Sequence, residues 1–326
     1  MEFRTTIKTA DNKGIMHHSD KLMLLGSCFS DNIGAKLSAA MMNVEINPFG
    51  TIYNPMSIAS SIDRIISGEP IAGTDLFQAN GVWNSYAFHS RYSMCDKQAA
   101  LNRMNTRIAQ AHAHLKQCKF IIITLGTAII YRLRQNSMVV ANCHKVPQNN
   151  FTRKMATVDE MTAVMTGMVN RLLEFNDQLH VIFTVSPIRH IADGLETNSL
   201  SKASLRLAIN GVVSAFKGQV EYFPAFEIMI DDLRDYRFYA ADMVHPSDVA
   251  IGYIWQSFQA AYFDDASTQA IARCERVMKR LTHRPMTANR EIVERFYADT
   301  KAVVTNLVKE YPYIANIKEI NDLISE

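Results

Sequence analysis

Ser27 and the tetrad Asp242-Met243-Val244-His245 are the residues whose types and spacing could do covalent chemistry. A serine hydroxyl is a weak nucleophile at neutral pH. It needs a rigid turn, a histidine base and a pocket that stabilises negative charge. Ser27 stands between an apolar run, Leu22-Met23-Leu24-Leu25, and a helical pattern through Ile33, Leu37, Met41 and Val44. The free N–H groups of a helix start therefore face the same space. Asp242 and His245, three apart in a turn, can face one cleft, where the carboxylate orients the imidazole and stabilises its charged form. Pro246 interrupts the preceding structure and Ser247 is placed to cap the next helix. Alone, this tetrad reads more simply as a loop entering a helix; its pairing with Ser27 turns it towards catalysis.

Cys28 is the rival nucleophile, intrinsically stronger if its thiolate forms at a helix start. Successive residues of a turn point in different directions, so only one of the two can face His245, and Cys28 is expected in the core as a small apolar side chain. Cys143-His144, with His89, His112, His114 or His190, lacks any metal-ligand spacing, and no metal site is expected. His112 and His114 read as surface histidines. His144 is open between a substrate contact and a structural role. Arg189 and His190 follow a strand and are expected on the active-site face, where Arg189 either holds an anionic substrate group or pairs with Asp193 or Glu196.

The elements that would carry these residues alternate. Apolar runs at residues 22–25, 44–46, 120–124, 181–185 and 220–223 read as buried strands. Helical spacing follows at Ile58, Ile62, Ile65 and Ile66, again from Met161 to Leu172 behind the Thr157/Glu160 capping-box pair, over residues 200–216, and from Ser247 to about Phe263. Residues 68–96 are irregular and aromatic, as expected of a long functional loop or cap. A hairpin is expected with arms near residues 129–133 and 138–141. Such alternation predicts a parallel sheet covered on both faces, with ligands beyond the carboxyl ends of its strands, which Ser27, Gly50, Gly126 and Ser186 all follow.

The segment Leu25-Gly26-Ser27-Cys28-Phe29-Ser30 resembles the signature of the GSCFA family, a bacterial group similar to the SGNH/GDSL hydrolases. Asn47-Pro48-Phe49-Gly50, Asn142-Cys143-His144-Lys145, Ser186-Pro187-Ile188-Arg189-His190 and the run from Leu233 to Tyr239 agree with it, and the likeness extends over residues 4–260. It implies a flavodoxin-like three-layer α/β/α sandwich in which Ser27, with the serine displaced by one in the first block, is the nucleophile, His245 the base and Asp242 the orienting acid. It implies oxyanion donation by the Gly50 N–H, beside that of Ser27. The asparagine expected after the central strand is absent, since Gly126-Thr127-Ala128 stands there; Thr127, Asn54, Asn142 and His144 are the candidate replacements.

The expected protein is therefore a hydrolase or acyltransferase acting on a short-chain ester, by analogy a carbohydrate O-acetyl ester, through Ser27, with no cofactor. The opposing reading is a non-catalytic ligand-binding protein on a degenerate fold, and a third is a Cys28-dependent acyltransferase. A net charge of +2, from 34 basic and 32 acidic residues, argues against broad nucleic-acid or membrane-surface binding. The absence of a signal-like opening or a bilayer-length apolar run predicts a cytoplasmic protein. Five scattered cysteines predict reduced thiols. Residues 1–264 are expected to form the catalytic domain, and residues 265–326 a helical extension available to pack on it or to form an oligomer.

Overall fold

The computed structural model describes residues 5–9, 12–287, 289–317 and 320. Five parallel strands, numbered in chain order, form the central sheet: β1 (Leu22–Gly26), β2 (Val44–Ile46), β3 (Phe120–Leu125), β4 (His180–Val185) and β5 (Val220–Tyr222), arranged β5-β4-β3-β1-β2. This is the flavodoxin-like doubly wound order. The register pairs Gly26 with Thr124, and Thr124 with Thr184, so three strand ends finish side by side.

Strand side chains alternate between two cores, the consequence of the two-residue strand period. Met23, Leu25, Ile121, Ile123, Leu125, Val181, Phe183 and Val185 pack under the helices α2 (Pro55–Ser67), α3 (Lys97–Leu115), α4 (Val158–Phe175) and α5 (Gly194–Ala215). Leu22, Leu24, Phe120, Ile122 and Ile182 face the other way, onto Phe29, Ile33 and Leu37 of α1 (Cys28–Ala39) and Ile254, Phe258 and Tyr262 of α6 (Asp248–Tyr262). The expected three-layer sandwich is thus formed. Thr157 and Glu160 close a capping box on α4, and Ser247 caps α6.

Several elements escaped the sequence reading. Helix α3 has a weakly amphipathic sequence, yet it buries Ala100, Met104, Ile108, Ala111 and Leu115. It also corrects the reading of its histidines as surface groups: His112 Nδ1 lies 2.9 Å from the Ile65 carbonyl oxygen and His114 Nε2 2.8 Å from that of Leu22. The aromatic stretch after α2 contains a small antiparallel pair, Phe77–Ala79 with Val82–Asn84. The hairpin after β3 gains an unexpected third strand, so that Ile129–Leu133 pairs with both Val139–Val140 and Phe151–Met155.

Beyond α6 run α7 (Asp265–Thr282) and α8 (Arg290–Glu310). Ile271 of α7 joins the core under α1, while Cys274, Val277, Val304, Leu307 and Ile314 form a satellite cluster with Met41. Among the described residues no helix is long and apolar enough to cross a membrane.

Candidate active site

Strand β1 leads into α1 through a turn that only glycine can make. Gly26 has φ +139°, and a Cβ there would lie 2.1 Å from the Thr124 carbonyl oxygen. The next residue, Ser27, is the N-cap of α1. Its Oγ accepts from the Phe29 N–H at 3.3 Å and donates to Ser186 Oγ at 2.9 Å, and the residue is 1% exposed. A capping hydroxyl folds back over the free N–H groups of its helix, and here it also meets Ser186. Cys28, the first helical residue, is half-buried, with Sγ 3.8 Å from His245 Nε2. Cys28 packs against the core beneath α1, as expected, yet its Sγ, rather than the expected Ser27 hydroxyl, is the side-chain atom that meets His245 Nε2.

His245 Nδ1 lies 2.6 Å from Asp242 Oδ2. With its proton on Nδ1 the imidazole donates to the carboxylate and leaves Nε2 free to accept from the thiol. Asp242 Oδ1 accepts from the N–H groups of His245 at 3.0 Å and Val244 at 2.9 Å, across a turn in which Met243 has φ +59°. These bonds, the His245 N–H foremost, then that of Val244 and then the imidazole, hold the Asp242 carboxyl down to about 2.

Arg189 braces this turn. Its Nη1 donates to the Met243 carbonyl at 3.4 Å and to Tyr236 Oη at 3.3 Å, and its guanidinium lies 3.9 Å from the centroid of the Tyr239 ring. Its own N–H donates to the Val244 carbonyl at 3.2 Å. Asp193, one of the partners left open for Arg189, pairs instead with Arg153.

The expected oxyanion and substrate residues have other work. The Ser27 N–H donates to the Thr124 carbonyl at 3.1 Å, and the Gly50 N–H closes a turn onto the Asn47 carbonyl at 2.8 Å. Gly50 has φ +86° and packs against His89. Thr127 donates its N–H to the Tyr53 carbonyl and places Oγ1 3.2 Å from Ser201 Oγ. Asn54 caps α2, and Asn142 Oδ1 accepts from the His144 N–H. His144 is buried beside Phe77 and Tyr86, with Nε2 2.8 Å from the Ser85 carbonyl oxygen. These side chains serve turns and caps, where short polar groups satisfy backbone N–H donors. Asn47 knits the first turn together: Oδ1 accepts from the Gly26 N–H and Nδ2 donates to Asp31.

Lys202, Tyr53 and His190 complete the cluster, and of these only His190 was expected on the active-site face. Lys202, 1% exposed, donates from Nζ to the carbonyls of Gly126 at 2.7 Å and Ser186 at 2.8 Å, and burial pulls its amine down to about 7 while Cys28 opposes the shift. His190 packs edge-on to Tyr53, with ring centroids 5.5 Å apart, and burial, then Lys202, lowers its imidazole to about 4. Tyr53 is raised by burial, with Cys28 adding to the shift. Burial likewise raises the Cys28 thiol, opposed by its own backbone N–H and by Lys202, so the resting thiol is protonated at neutral pH. The sequence did carry a signal for Lys202, which occupies an apolar position in the series Leu205, Ile209 and Val212 along α5.

A cavity of about 360 Å³ lies between α2 and the two hairpins, lined among others by Phe49, Arg64, Phe77, Tyr86 and Leu133; Cys28 and His245 are not among its walls. No cluster of three or more metal-ligating side chains occurs among the described residues.

The sequence profile of the GSCFA family matches residues 21–258. No curated protein matches the chain. Among solved structures, the chain is similar to the acetyl xylan esterase Est2A of the rumen bacterium Butyrivibrio proteoclasticus, at 10% identity and a TM-score of 0.40, covering 75% of this chain and 63% of that one. It is also similar to a family 3 carbohydrate esterase of Clostridium thermocellum, at 9% identity and a TM-score of 0.37, covering 74% and 94% of the two chains. A third similarity is to a family two carbohydrate esterase of Clostridium thermocellum in complex with cellohexaose, at 8% identity and a TM-score of 0.38, covering 75% and 64%. The chain thus spans less than two thirds of the length of the first and third of these proteins.

Proposed function

The chain belongs to the GSCFA family, and from that premise we propose that it is a hydrolase or acyltransferase acting on carboxylic esters through Cys28, with His245 as base and Asp242 as its orienting acid. The observation that carries this reading is the alignment of Cys28 Sγ, His245 and Asp242, with contacts of 3.8 and 2.6 Å. Because burial keeps the thiol protonated, the base must act as the thiol attacks. His245 Nε2 takes the thiol proton while sulfur bonds to the acyl carbon. The tetrahedral oxygen carries the charge, stabilised by the N–H of Cys28, which as the first helical residue has no intrahelical acceptor. Collapse breaks the ester C–O bond, and His245 returns its proton to the departing alkoxide. Water or an acceptor hydroxyl, deprotonated by His245, then attacks the thioester and frees the thiol.

Asp242 and His245 side chains are half exposed, so the site is open to a bulky alcohol. A short acyl group on a carbohydrate or similarly large alcohol fits that openness. The test is turnover of p-nitrophenyl acetate with mass-spectrometric capture of an acetyl group on the Cys28 peptide. Activity and adduct should vanish in Cys28→Ala and turnover should collapse in His245→Ala, while Ser27→Ala retains both. Loss in Ser27→Ala with Cys28→Ala still active would restore the serine as nucleophile. A wild type that neither turns over esters nor acylates would favour a binding protein on the same fold.

A further inference from the structure

A thioester-forming site needs more than one donor for its oxyanion, and the backbone here offers few. The N–H groups of Ser27 and Gly50 are engaged by Thr124 and Asn47, that of Gly126 by Tyr53, and Thr127 is turned towards Ser201. Among the described residues two buried polar atoms near these strand ends make no hydrogen bond, Thr184 Oγ1 and His190 Nε2, and of the two the ring nitrogen lies against Gly126. It lies 3.1 Å from where a Cβ of Gly126 would stand, at the carboxyl end of the central strand, with Tyr53 against the same glycine. A buried imidazole nitrogen left unsatisfied calls for an explanation, and a ligand atom arriving beside Cys28 supplies one.

Building on the acyl-transfer reading above, we propose that His190 Nε2–H is the second oxyanion donor of the Cys28 site. The groups facing the ring are suited to the task. Burial, then Lys202 and His245, disfavour its protonation and only Asp193 favours it, so the ring holds one proton and no charge at neutral pH. A neutral imidazole can donate to a developing oxyanion without handing over its proton. No bond to His190 forms or breaks; the hydrogen bond strengthens as the carbonyl oxygen gains charge. Gly126 leaves room beside it, since a Cβ there would stand 3.1 Å from Nε2.

The test compares ester turnover with alkylation of Cys28 by iodoacetamide, a displacement at carbon that builds no oxyanion. His190→Ala should lower kcat for p-nitrophenyl acetate about a hundredfold or more, leave KM within about threefold, and leave the alkylation rate within about twofold. His190→Phe keeps the ring packing against Tyr53 without a donor, and serves if the alanine variant does not fold; His190→Gln restores an N–H and should recover part of the loss. Turnover within about threefold of wild type in His190→Phe overturns the assignment. So does an alkylation rate that falls in step with turnover, which would place the effect on the Cys28 thiol itself. A wild type that hydrolyses no ester sinks the parent reading and this assignment with it; an active wild type matched by His190→Phe sinks only the assignment.

Discussion

Replacing Lys202 by methionine keeps the length of the side chain and removes only the amine. In the unfolded chain that amine titrates near 10.5, and in the folded protein burial lowers it to about 7. Between these values the unfolded state holds a proton that the folded state has released. Folding stability therefore rises with pH across this window and is lost as pH falls towards 7. The slope approaches about 1.4 kcal/mol per pH unit, and the whole window is worth about 4 to 5 kcal/mol. The methionine variant lacks this dependence and instead leaves the carbonyls of Gly126 and Ser186 unpaired, a roughly pH-independent cost of about 1 to 3 kcal/mol for each. Urea unfolding of both proteins at about pH 6.5, 8 and 10 should show the stability difference between them moving by about 4 kcal/mol in favour of the wild type as pH rises. Other titrating groups are common to both proteins and largely cancel in that difference. A difference that stays flat over the range would refute the reasoning and place the amine in contact with water or with a permanent counter-charge.

Ser27→Ala removes a helix cap and the bond to Ser186, and should lower stability by about 1 to 2 kcal/mol in denaturant titration while leaving ester turnover within a few-fold of wild type. Asp242→Asn should leave thermal stability nearly unchanged and cut kcat by about a hundredfold or more, because the amide no longer holds the imidazole with Nε2 towards sulfur; since its carboxyl stays charged down to about 2, any acid limb in the rate profile well above that pH should persist with the same midpoint in Asp242→Glu. Arg189→Lys keeps the charge but loses the planar stacking on Tyr239, and should reduce kcat several-fold with little change in the alkylation rate of Cys28.

The local rules of the chain were readable without coordinates. The apolar run ending at Gly26, the capping pair on α4 and the Ser247 cap depend on neighbours within four residues, and the structure contains them all; the helical period after Gly26 holds through Ile33 and Leu37, but α1 stops at Ala39, before Met41 and Val44. The Asp242-x-x-His245 turn is local in the same sense, because the carboxylate is held by N–H groups two and three residues away. Helix α3 and the strand Phe151–Met155 were not legible, since the buried stripe of the first is thin, two of its five residues being alanine, and the second, mostly exposed, is stabilised by pairing with Ile129–Leu133.

The sequence by itself determined the alternation of strands and helices, the glycine turn that carries Ser27 and Cys28, and the acid–histidine pair that must serve whichever of them it meets. Only the tertiary structure brings Cys28 Sγ to 3.8 Å from His245 Nε2 and turns Ser27 Oγ onto Ser186. A capping side chain folds back over its own helix and the next one projects outward, so the contact with His245 depends on where α1 sits relative to a loop more than two hundred residues away. The same is true of Lys202 and His190: their types are visible in the chain, but burial, and with it their altered protonation, exists only once the sheet has brought Gly126, Ser186 and Tyr53 around them.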